Sequence, residues 1–374
     1  MYKTIGKYVK MIHKKILVIC PNPVGYAPGQ RLKYEQYFEF WEKNGYDVTV
    51  KPFISETFQK VVYKNGHYLT KVFETIKGYG RRLRDISEIK KYDIVYIFLW
   101  VTPFGFSLFE RIYCAAARKV IYDIDDLVYT TNQSTPWYLK LLKTQHKPIY
   151  LMKKADHVIT CTPYLDKFVR QFNENTTDIS STVETSRYIP VNRFTNDLPL
   201  TIGWSGSHST IRHFMTIKNV LRHIQQKYPD IKISVMGGSN VIVDGLKIDS
   251  TEWSEEKEIS TLQTFDIGIY PLPDEQWVYG KSGLKAIQYM AIGIPAIATA
   301  IGTNFRVIEE GVTGFLVDSE EAWIEKLSLL IENPALRRSL GVAARLKVEK
   351  EFSVEANKRK YLEAFDQVLN IHAS

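Results

Sequence analysis

The chain alternates short apolar runs with helix-forming stretches, and this alternation occurs twice. In the first half the apolar runs lie at 15–20, 46–50, 94–99, 120–123 and 157–161. After a stretch that contains Pro and Asn at 188–198, runs follow at 200–204, 231–236, 265–270 and 294–300. Strands that alternate with helices form parallel sheets covered by helices, with ligands at the carboxyl ends of the strands. The sequence therefore predicts an α/β protein with two doubly wound domains in succession.

Length and composition fit two domains. A chain of 374 residues with 45% hydrophobic residues can bury two cores. We place the boundary between residues 193 and 194, and Ser353 is a suitable cap for a last helix that extends to about residue 371. Two consecutive sheets of this type bring two sets of strand-end loops across a cleft, which suits a reaction between two substrates.

Cysteine usage and hydropathy narrow the class of protein. The three cysteines lie far apart and form no Cys/His cluster, which disfavours a disulfide framework and a structural zinc site. No window reaches the roughly eighteen apolar residues of a spanning helix, and the N-terminus has no apolar run followed by a small-residue cleavage site. We therefore expect a cytoplasmic protein that is neither secreted nor membrane-spanning.

Positive charge is concentrated in the first half. The net charge is +8, residues 2–15 hold five lysines and no acid, and residues 60–91 hold nine Lys or Arg. Apolar residues from Phe58 to Ile76 recur at partial helical spacing among these cations, as in an interfacial helix. Two interpretations remain open: a helix with a solvated face, or one that binds an anionic membrane surface at the inner face of a membrane. A nucleic-acid partner is disfavoured because no recognised binding module accompanies the charge.

The segment 274–295 combines an acid, two lysines and a helix start. Ser282 can cap a helix whose apolar residues recur at three- and four-residue spacing, while Lys281, Lys285 and Gln288 lie on its other face. The free amides and positive dipole of a helix start favour an anion, and the two lysines add charge. This segment therefore predicts a binding site for a diphosphate.

Several segments resemble one family of enzymes. They are residues 25–31, 155–160, 190–192, 202–207, 271–274, 280–295 and 310–317. On these segments the chain resembles a retaining nucleotide-sugar glycosyltransferase of the group 1 type, with the GT-B fold of two facing Rossmann-like domains. The resemblance covers nearly the whole chain, and its most specific part is 271–316.

The resemblance implies a role for each domain. Residues 1–193 would bind the acceptor, residues 194–351 would bind the donor, and the last helix, within 352–374, would cross back to the first domain. The implied donor-binding residues are Gly29, Arg31, Gly203, Ser205, Gly206, Arg212, Gly237, Asp274, Lys281, Ser282, Gly283, Lys285 and Gln288. The loop with Gly29 would close over the donor phosphates from the opposite side of the cleft.

The donor helix departs from the commoner family pattern. Many relatives carry two glutamates eight residues apart, the second of which reaches the ribose hydroxyls, and here those positions are Gly280 and Gln288. An amide still accepts and donates hydrogen bonds, so Gln288 is expected to hold the ribose without a charge. Asp274 is a candidate for the missing first acid, although a turn residue is an equally good interpretation. Arg212 is expected to contribute to a phosphate clamp.

Three carboxylates lie at the end of the fourth apolar run and just after it: Asp123, Asp125 and Asp126. A metal-binding Asp-x-Asp motif is one interpretation, but the phosphate-facing lysines lie in the other half and a helix start needs no metal. We therefore expect no metal and predict that these acids orient the acceptor or stabilise positive charge on the sugar, with a helix cap as the alternative. Candidates for the acceptor wall are Trp100, Phe104 and Glu110. Aromatic residues in such places are more often core.

The predicted function is transfer of a sugar from a nucleoside diphosphate sugar to a saccharide or lipid-linked acceptor, in building a surface glycan. The family suggests retention by front-face attack, in which the leaving phosphate helps to take the proton. The nucleotide sugar is a co-substrate, and no cofactor is expected. Two alternatives remain open: a non-catalytic binding or assembly subunit, suggested by Gln288, and a nucleotide-sugar epimerase.

Overall fold

In the residues that the structure describes, two parallel sheets of six strands follow one another along the chain. The computed structural model describes residues 13–62, 64–129, 146–190, 199–207, 210–238 and 241–371. The first sheet consists of β1 (Lys14–Cys20), β2 (Tyr46–Pro52), β3 (Ile94–Phe98), β4 (Val120–Asp123), β5 (His157–Thr160) and β6 (Thr176–Asp178). Its strand order is β2-β1-β3-β4-β5-β6.

The second sheet repeats this architecture. It consists of β7 (Thr201–Ser205), β8 (Lys232–Met236), β9 (Ile248–Thr251), β10 (Ile267–Tyr270), β11 (Ala296–Thr299) and β12 (Gly314–Val317). Its strand order is β12-β11-β10-β7-β8-β9. Strand order reverses between β1 and β3 in one sheet and between β7 and β10 in the other, and a crevice for ligands forms at such points.

Helices cover the sheets. In the described part of the first half they are α1 (Pro28–Arg31), α2 (Phe38–Lys43), α3 (Glu56–Val62), α4 (Tyr68–Ile86), α5 (Leu108–Ala116), α6 (His146–Lys154) and α7 (Pro163–Val169). In the second half they are α8 (Ile211–Met215), α9 (Lys218–Lys227), α10 (Glu255–Leu262), α11 (Leu284–Ala291), α12 (Asn304–Val307), α13 (Glu320–Glu332), α14 (Pro334–Lys347) and α15 (Val354–Leu369).

The apolar runs become strands because both faces of each sheet are covered. Ile16, Leu17, Val18 and Ile19 of β1 are all fully buried, two of them in the core on one face and two in the core on the other. Strands buried on both faces read as continuous apolar runs rather than as alternating ones. The edge strands β6 and β9 were not predicted, because they are short and mainly polar.

The C-terminal helix α15 packs on the first sheet's side of the molecule, as expected. Tyr361 and Phe365 belong to the same core cluster as Tyr37 and Trp41. The Tyr361 hydroxyl donates a hydrogen bond to the carbonyl of Lys33 at 3.1 Å. Ser353 caps the helix, since its Oγ accepts from the amide of Ala356 at 3.0 Å. Because α15 follows the second half along the chain and packs on the core of the first, it links the two halves.

Two sequence predictions fall outside the described residues. The boundary at 193/194 lies within 191–198, and most of the basic segment 2–15 lies within residues 1–12. In the ranges that the structure does describe, every helix is too short or too polar to cross a membrane.

Candidate active site

A cavity of about 730 Å³ lies between the two sheets, and both halves of the chain line it. Its walls include residues that follow β4 and β7 and residues at the start of α11. Eleven of the predicted site residues are on the wall: Gly29, Asp125, Asp126, Ser205, Gly206, Gly237, Lys281, Ser282, Gly283, Lys285 and Gln288. The fold thus brings most of the predicted site residues together at this cavity.

Helix α11 starts at the cavity. Gly283, at its N-cap, has φ 76°, in the left-handed region that favours glycine, and a Cβ there would lie 2.8 Å from Val307 Cγ2. The amides of the first turn have no partner within the helix, so this end of α11 attracts anions. The cap predicted at Ser282 is wrong, because the Ser282 hydroxyl instead donates to Ser181 Oγ at 2.8 Å, across the cleft.

Two lysines stand at this helix start in different electrostatic settings. Lys281 Nζ lies 2.8 Å from Asp126 Oδ2, in an ion pair across the cleft. Burial alone would lower the pKa of Lys281, but the charge and hydrogen bond of Asp126 outweigh burial and raise it. Burial, together with the charge of Lys281, lowers the pKa of Lys285 to about 8. No acid among the described residues pairs with Lys285, so its positive charge is available to a bound anion.

Asp125 and Asp126 face these lysines from the opposite wall. Burial raises the pKa of Asp125 to about 7, although the charge of Lys33 opposes the shift. Gly29 lies directly against this carboxylate, because a Cβ at Gly29 would be 3.0 Å from Asp125 Oδ2. Both acids line the cavity together with the two lysines, and Asp126 meets the cationic side directly through its ion pair with Lys281.

Asp123 does not belong to this wall. It is fully buried at the end of β4, with its Oδ1 3.4 Å from Lys33 Nζ, and it accepts a short hydrogen bond from the Tyr96 hydroxyl. Its predicted catalytic role is wrong for a physical reason: the side chain holds the core of the sheet and does not line the cavity.

The glycine-rich loop after β7 forms a wall rather than a set of free amide donors. The Ser205 amide donates to the Tyr289 hydroxyl at 2.7 Å, and the Gly206 amide donates to the Met236 carbonyl at 2.9 Å. Gly203 lies within β7, where a Cβ would be 2.0 Å from the Phe265 ring, so it serves packing and not the donor. The predicted phosphate contacts of these amides are therefore wrong.

Gly237 explains how this wall closes. It has φ 102°, and a Cβ there would lie only 1.9 Å from the Gly206 carbonyl oxygen. Only glycine lets the loops after β7 and β8 approach this closely. Both residues line the cavity, so its shape at this end depends on the absence of two side chains.

A hydrogen-bonded cluster forms another part of the cavity wall, and the sequence did not reveal it. Glu258 of α10 is the centre of this cluster. Arg31 NH2 donates to Glu258 Oε2 at 2.8 Å, and Trp253 Nε1 donates to Glu258 Oε1 at 3.1 Å. Gln288 Nε2 donates to Glu258 Oε1 at 3.1 Å and to the Tyr188 hydroxyl at 2.9 Å. Arg31 thus contacts an acid of the second half and does not line the cavity.

The remaining predicted donor residues lie elsewhere. The Arg212 guanidinium sits 5.5 Å from the centre of the Trp277 ring, and Asp274 is exposed to solvent. Neither lines the cavity. A phosphate clamp at Arg212 and a sugar contact at Asp274 are therefore not supported by their positions.

The predicted acceptor wall has a structural role. Glu110 is fully buried, accepts from the Thr102 amide at 3.1 Å and lies 3.5 Å from Lys147 Nζ. Lys147 also donates to the Phe104 carbonyl at 2.8 Å. Trp100 packs edge-on against Phe53, with ring centres 5.6 Å apart. These three candidates hold the loop after β3 in place and do not reach the cavity.

The chain is similar to known proteins in sequence. Residues 199–333 match the family model described as Glycosyl transferases group 1. The D-inositol 3-phosphate glycosyltransferase of Arthrobacter sp. (strain FB24) is 28% identical over 145 residues, which are 37% of this chain and 32% of that protein. The chain therefore spans about a third of the length of this curated relative.

The fold is similar over nearly its whole length. Sucrose-phosphate synthase from Thermosynechococcus elongatus matches with a TM-score of 0.68 and 16% identity, over 96% of this chain and all of that one. The HepE protein of Anabaena in complex with UDP-glucose matches with a TM-score of 0.65 and 14% identity, over 95% of this chain and 100% of that one. Two parallel six-stranded sheets in the described residues and a family match at 199–333 lead to one conclusion: residues 199–333 resemble the group 1 glycosyltransferase domain, and the chain has the GT-B fold.

Proposed function

We propose that the chain transfers a sugar from a nucleoside diphosphate sugar to a saccharide or lipid-linked acceptor. Residues 194–351 bind the donor and residues 1–193 bind the acceptor. The observation that carries the proposal is the start of α11, where free helix amides and two lysines, one without an acidic partner in the described structure, meet at the cavity. A diphosphate supplies the charge that this end requires. That the HepE structure contains UDP-glucose is consistent with it.

In the proposed mechanism the donor phosphates lie against Lys281 and Lys285. The carbon–oxygen bond between the sugar and the β-phosphate breaks, and the phosphate leaves with the bonding electrons. Fixed positive groups stabilise the charge that builds up on the leaving oxygen without needing to reorganise. The lysines and the helix start supply this role, so the mechanism needs no metal.

The acceptor hydroxyl attacks from the face that the phosphate leaves, so the sugar keeps its configuration. The bond from the acceptor oxygen to the anomeric carbon forms as the bond to phosphate breaks, and the hydroxyl proton passes to a phosphate oxygen. Asp125 and Asp126, which line the same cavity, orient this hydroxyl and stabilise the positive charge of the sugar ring. Proton NMR of the product's anomeric centre tests retention, and an inverted centre would contradict it.

The experiment for the activity is donor turnover by the purified chain. Candidate nucleotide sugars are incubated with the chain, and release of nucleoside diphosphate is followed. Lys281→Ala should lower turnover and donor affinity, by about tenfold or more, because hydrogen bonds to charged groups contribute about 1.5–3 kcal/mol. The matched control is Lys326→Ala, which removes an ammonium that pairs with Glu325 at 2.9 Å in α13, away from the cavity. Equal turnover by both variants would contradict the assignment.

Helix α4 exposes an apolar stripe that suits a membrane surface. Its buried face is polar and includes Glu74, Arg82 and Asp85. Arg82 is fully buried and donates to carbonyls that follow or lie within neighbouring strands, among them Cys20 O at 3.0 Å. The apolar stripe of the helix faces solvent instead: Leu69 is 88% exposed and Ile76 is 62% exposed. A helix packed on a core buries its apolar stripe, whereas α4 buries its polar face and exposes its apolar stripe.

The charges around this stripe favour an anionic surface. Lys64, Lys77 and Arg84 are exposed, whereas the acids of α4, Glu74 and Asp85, are buried. Apolar side chains that enter a lipid interface and lysines that meet anionic headgroups reinforce each other. We therefore propose that α4 holds the enzyme on an anionic membrane surface, where a lipid-linked acceptor for surface-glycan assembly is available.

Vesicle sedimentation tests the membrane proposal. The chain should pellet with phosphatidylglycerol vesicles and not with phosphatidylcholine vesicles, and added salt should release it. Leu69→Ser should weaken binding, whereas Leu346→Ser, at an equally apolar side chain that is 60% exposed on α14, should not. Equal binding by the two variants, or a concentration-dependent dimer through α4 in place of vesicle binding, would contradict it.

A further inference from the structure

Glu258 is a buried carboxylate on the cavity wall to which the mechanism above gives no task. It is 5% exposed and lies on α10, a helix that is distinct from the donor helix α11. Three donors, from Arg31, Trp253 and Gln288, stabilise its negative charge. An ionised carboxylate has about four accepting positions, so these donors leave about one for a ligand.

Gln288 is held in a single orientation by the same cluster. Its Nε2 donates one hydrogen to Glu258 Oε1 and the other to the Tyr188 hydroxyl. The reversed amide would turn its oxygen toward a carboxylate, which repels it, so this orientation is fixed. The amide oxygen of Gln288 is therefore the atom left to a ligand, and within the described ranges it has no hydrogen-bond partner while the residue lines the cavity.

Gln288 lies at a suitable distance from the phosphate end. Gln288 follows Lys285 by three residues on α11, so both lie on one face of the helix. A rise of about 1.5 Å per residue places them about 4.5 Å apart along the axis. That is the scale of the step from a phosphate to the sugar next to it in a nucleotide.

We propose that Glu258 and Gln288 together bind the ribose diol of the donor, with Glu258 supplying the negative charge that the amide at position 288 lacks. This inference rests on the proposed function. One ribose hydroxyl donates to Gln288 Oε1 and the other to the Glu258 carboxylate. Arg31 is then a positioning residue, which holds Glu258 from the opposite side of the cleft and so couples ribose binding to the approach of the two halves.

The test compares ribonucleotides with their 2′-deoxy forms. ADP, GDP and UDP and their 2′-deoxy counterparts are titrated into the chain by calorimetry. In the unmodified chain, the nucleotide that binds best should lose about tenfold or more in affinity as its 2′-deoxy form, as expected for a hydrogen bond to a charged group. Glu258→Gln should weaken the ribonucleotide and bring this ratio close to one.

Four variants make the result specific. Lys281→Ala should weaken both forms equally. Glu255→Gln is the matched control, because Glu255 also pairs with Arg31, at 3.1 Å, but does not line the cavity, and it should keep the ratio of the unmodified chain. Gln288→Glu alone should weaken binding, since it places two acids against each other. The double variant Glu258→Gln with Gln288→Glu should restore the ratio, because one carboxylate and one amide are present again.

The outcomes separate the two claims. An unchanged ratio in Glu258→Gln, or tighter binding by Gln288→Glu alone, would overturn the role of Glu258 and leave the proposed function intact. If no nucleotide binds the unmodified chain, the proposed function fails and the inference fails with it. Thermal melting of each variant shows whether it is folded, and the double variant keeps the test decisive if one single variant is unstable.

Discussion

Lys285 should make donor binding depend on pH in the alkaline range. Its pKa is lowered to about 8 by burial and by the charge of Lys281. A bound diphosphate favours the charged form of the lysine and raises this pKa again. Binding therefore requires uptake of a proton once the pH exceeds about 8, and the affinity falls as the pH rises through that value.

The magnitude follows from the pKa. At a pH one unit above a pKa of about 8, roughly one tenth of the free protein carries a charged Lys285, while the bound protein stays charged. The affinity at about pH 9 should therefore be close to tenfold lower than at about pH 7, which is about 1.4 kcal/mol. Lys281→Ala should move this decline to higher pH, because the charge of Lys281 contributes to the lowered pKa.

Calorimetric titration with a nucleotide sugar across this pH range measures the effect. A nucleotide sugar is suitable because its diphosphate keeps its charge throughout. Lys285→Arg is the matched control: because arginine stays charged, the alkaline decline that Lys285 causes should vanish in this variant. Any titration of the nucleobase affects both proteins equally, so the comparison corrects for it. Lys285→Met should bind weakly at every pH. An alkaline decline of the same size in Lys285→Arg would refute the reasoning.

Two further predictions concern the walls of the cavity. The pKa of Asp125 is raised to about 7, so its carboxylate forms as the pH rises through that value, and donor turnover should rise over the same range. Asp125→Asn should turn the donor over more slowly, and its pH–rate profile should lack this inflection. An inflection that remains in the Asp125→Asn profile would exclude Asp125 as its source. Gly237→Ala should destabilise the fold by about 1–3 kcal/mol or more, because φ is 102° and the new Cβ would meet the Gly206 carbonyl. Gly80→Ala, at a helical glycine with open space around it, should instead stabilise by about 0.5–1 kcal/mol; equal urea midpoints for the two variants would contradict the argument.

Local sequence signals predicted the sheets and the helix start well. A strand buried on both faces must be apolar at every position, so the core strands, such as β1 and β3, were visible as runs. The start of α11 was visible because a glycine, two lysines and a regular apolar spacing occur together. Both predictions depend on neighbouring residues alone, which a single sequence contains.

Side chains whose roles depend on distant partners were not predictable in this way. Glu258 lies in the run Glu255–Glu256–Lys257–Glu258, which looks like a solvated helix start, and only Arg31 and Gln288 distinguish it from its neighbours. Asp123 was grouped with two cavity acids because it is near them in sequence, but its side chain is fully buried and does not line the cavity. Gly203 resembled a phosphate loop, yet the Phe265 ring requires it to be glycine.

Amphipathicity predicted α4 but not the direction in which it faces. The sequence contains an apolar stripe and a charged face, and the usual expectation is that the apolar stripe packs inward. Here the strand-end carbonyls under the helix need donors, and Arg82 satisfies them from the charged face. The need of these buried carbonyls for hydrogen-bond donors therefore determines how α4 is oriented. The sequence of α4 alone does not contain this information.

The proposed function requires that a nucleoside diphosphate binds with its phosphates at the start of α11. A crystal structure of the chain with bound nucleoside diphosphate tests it most directly. The β-phosphate should lie within hydrogen-bonding distance of the first-turn amides of α11, between Lys281 and Lys285, with the ribose against Glu258 and Gln288. Phosphates held at the opposite wall by Asp125 and Asp126, through a metal ion, would contradict the account.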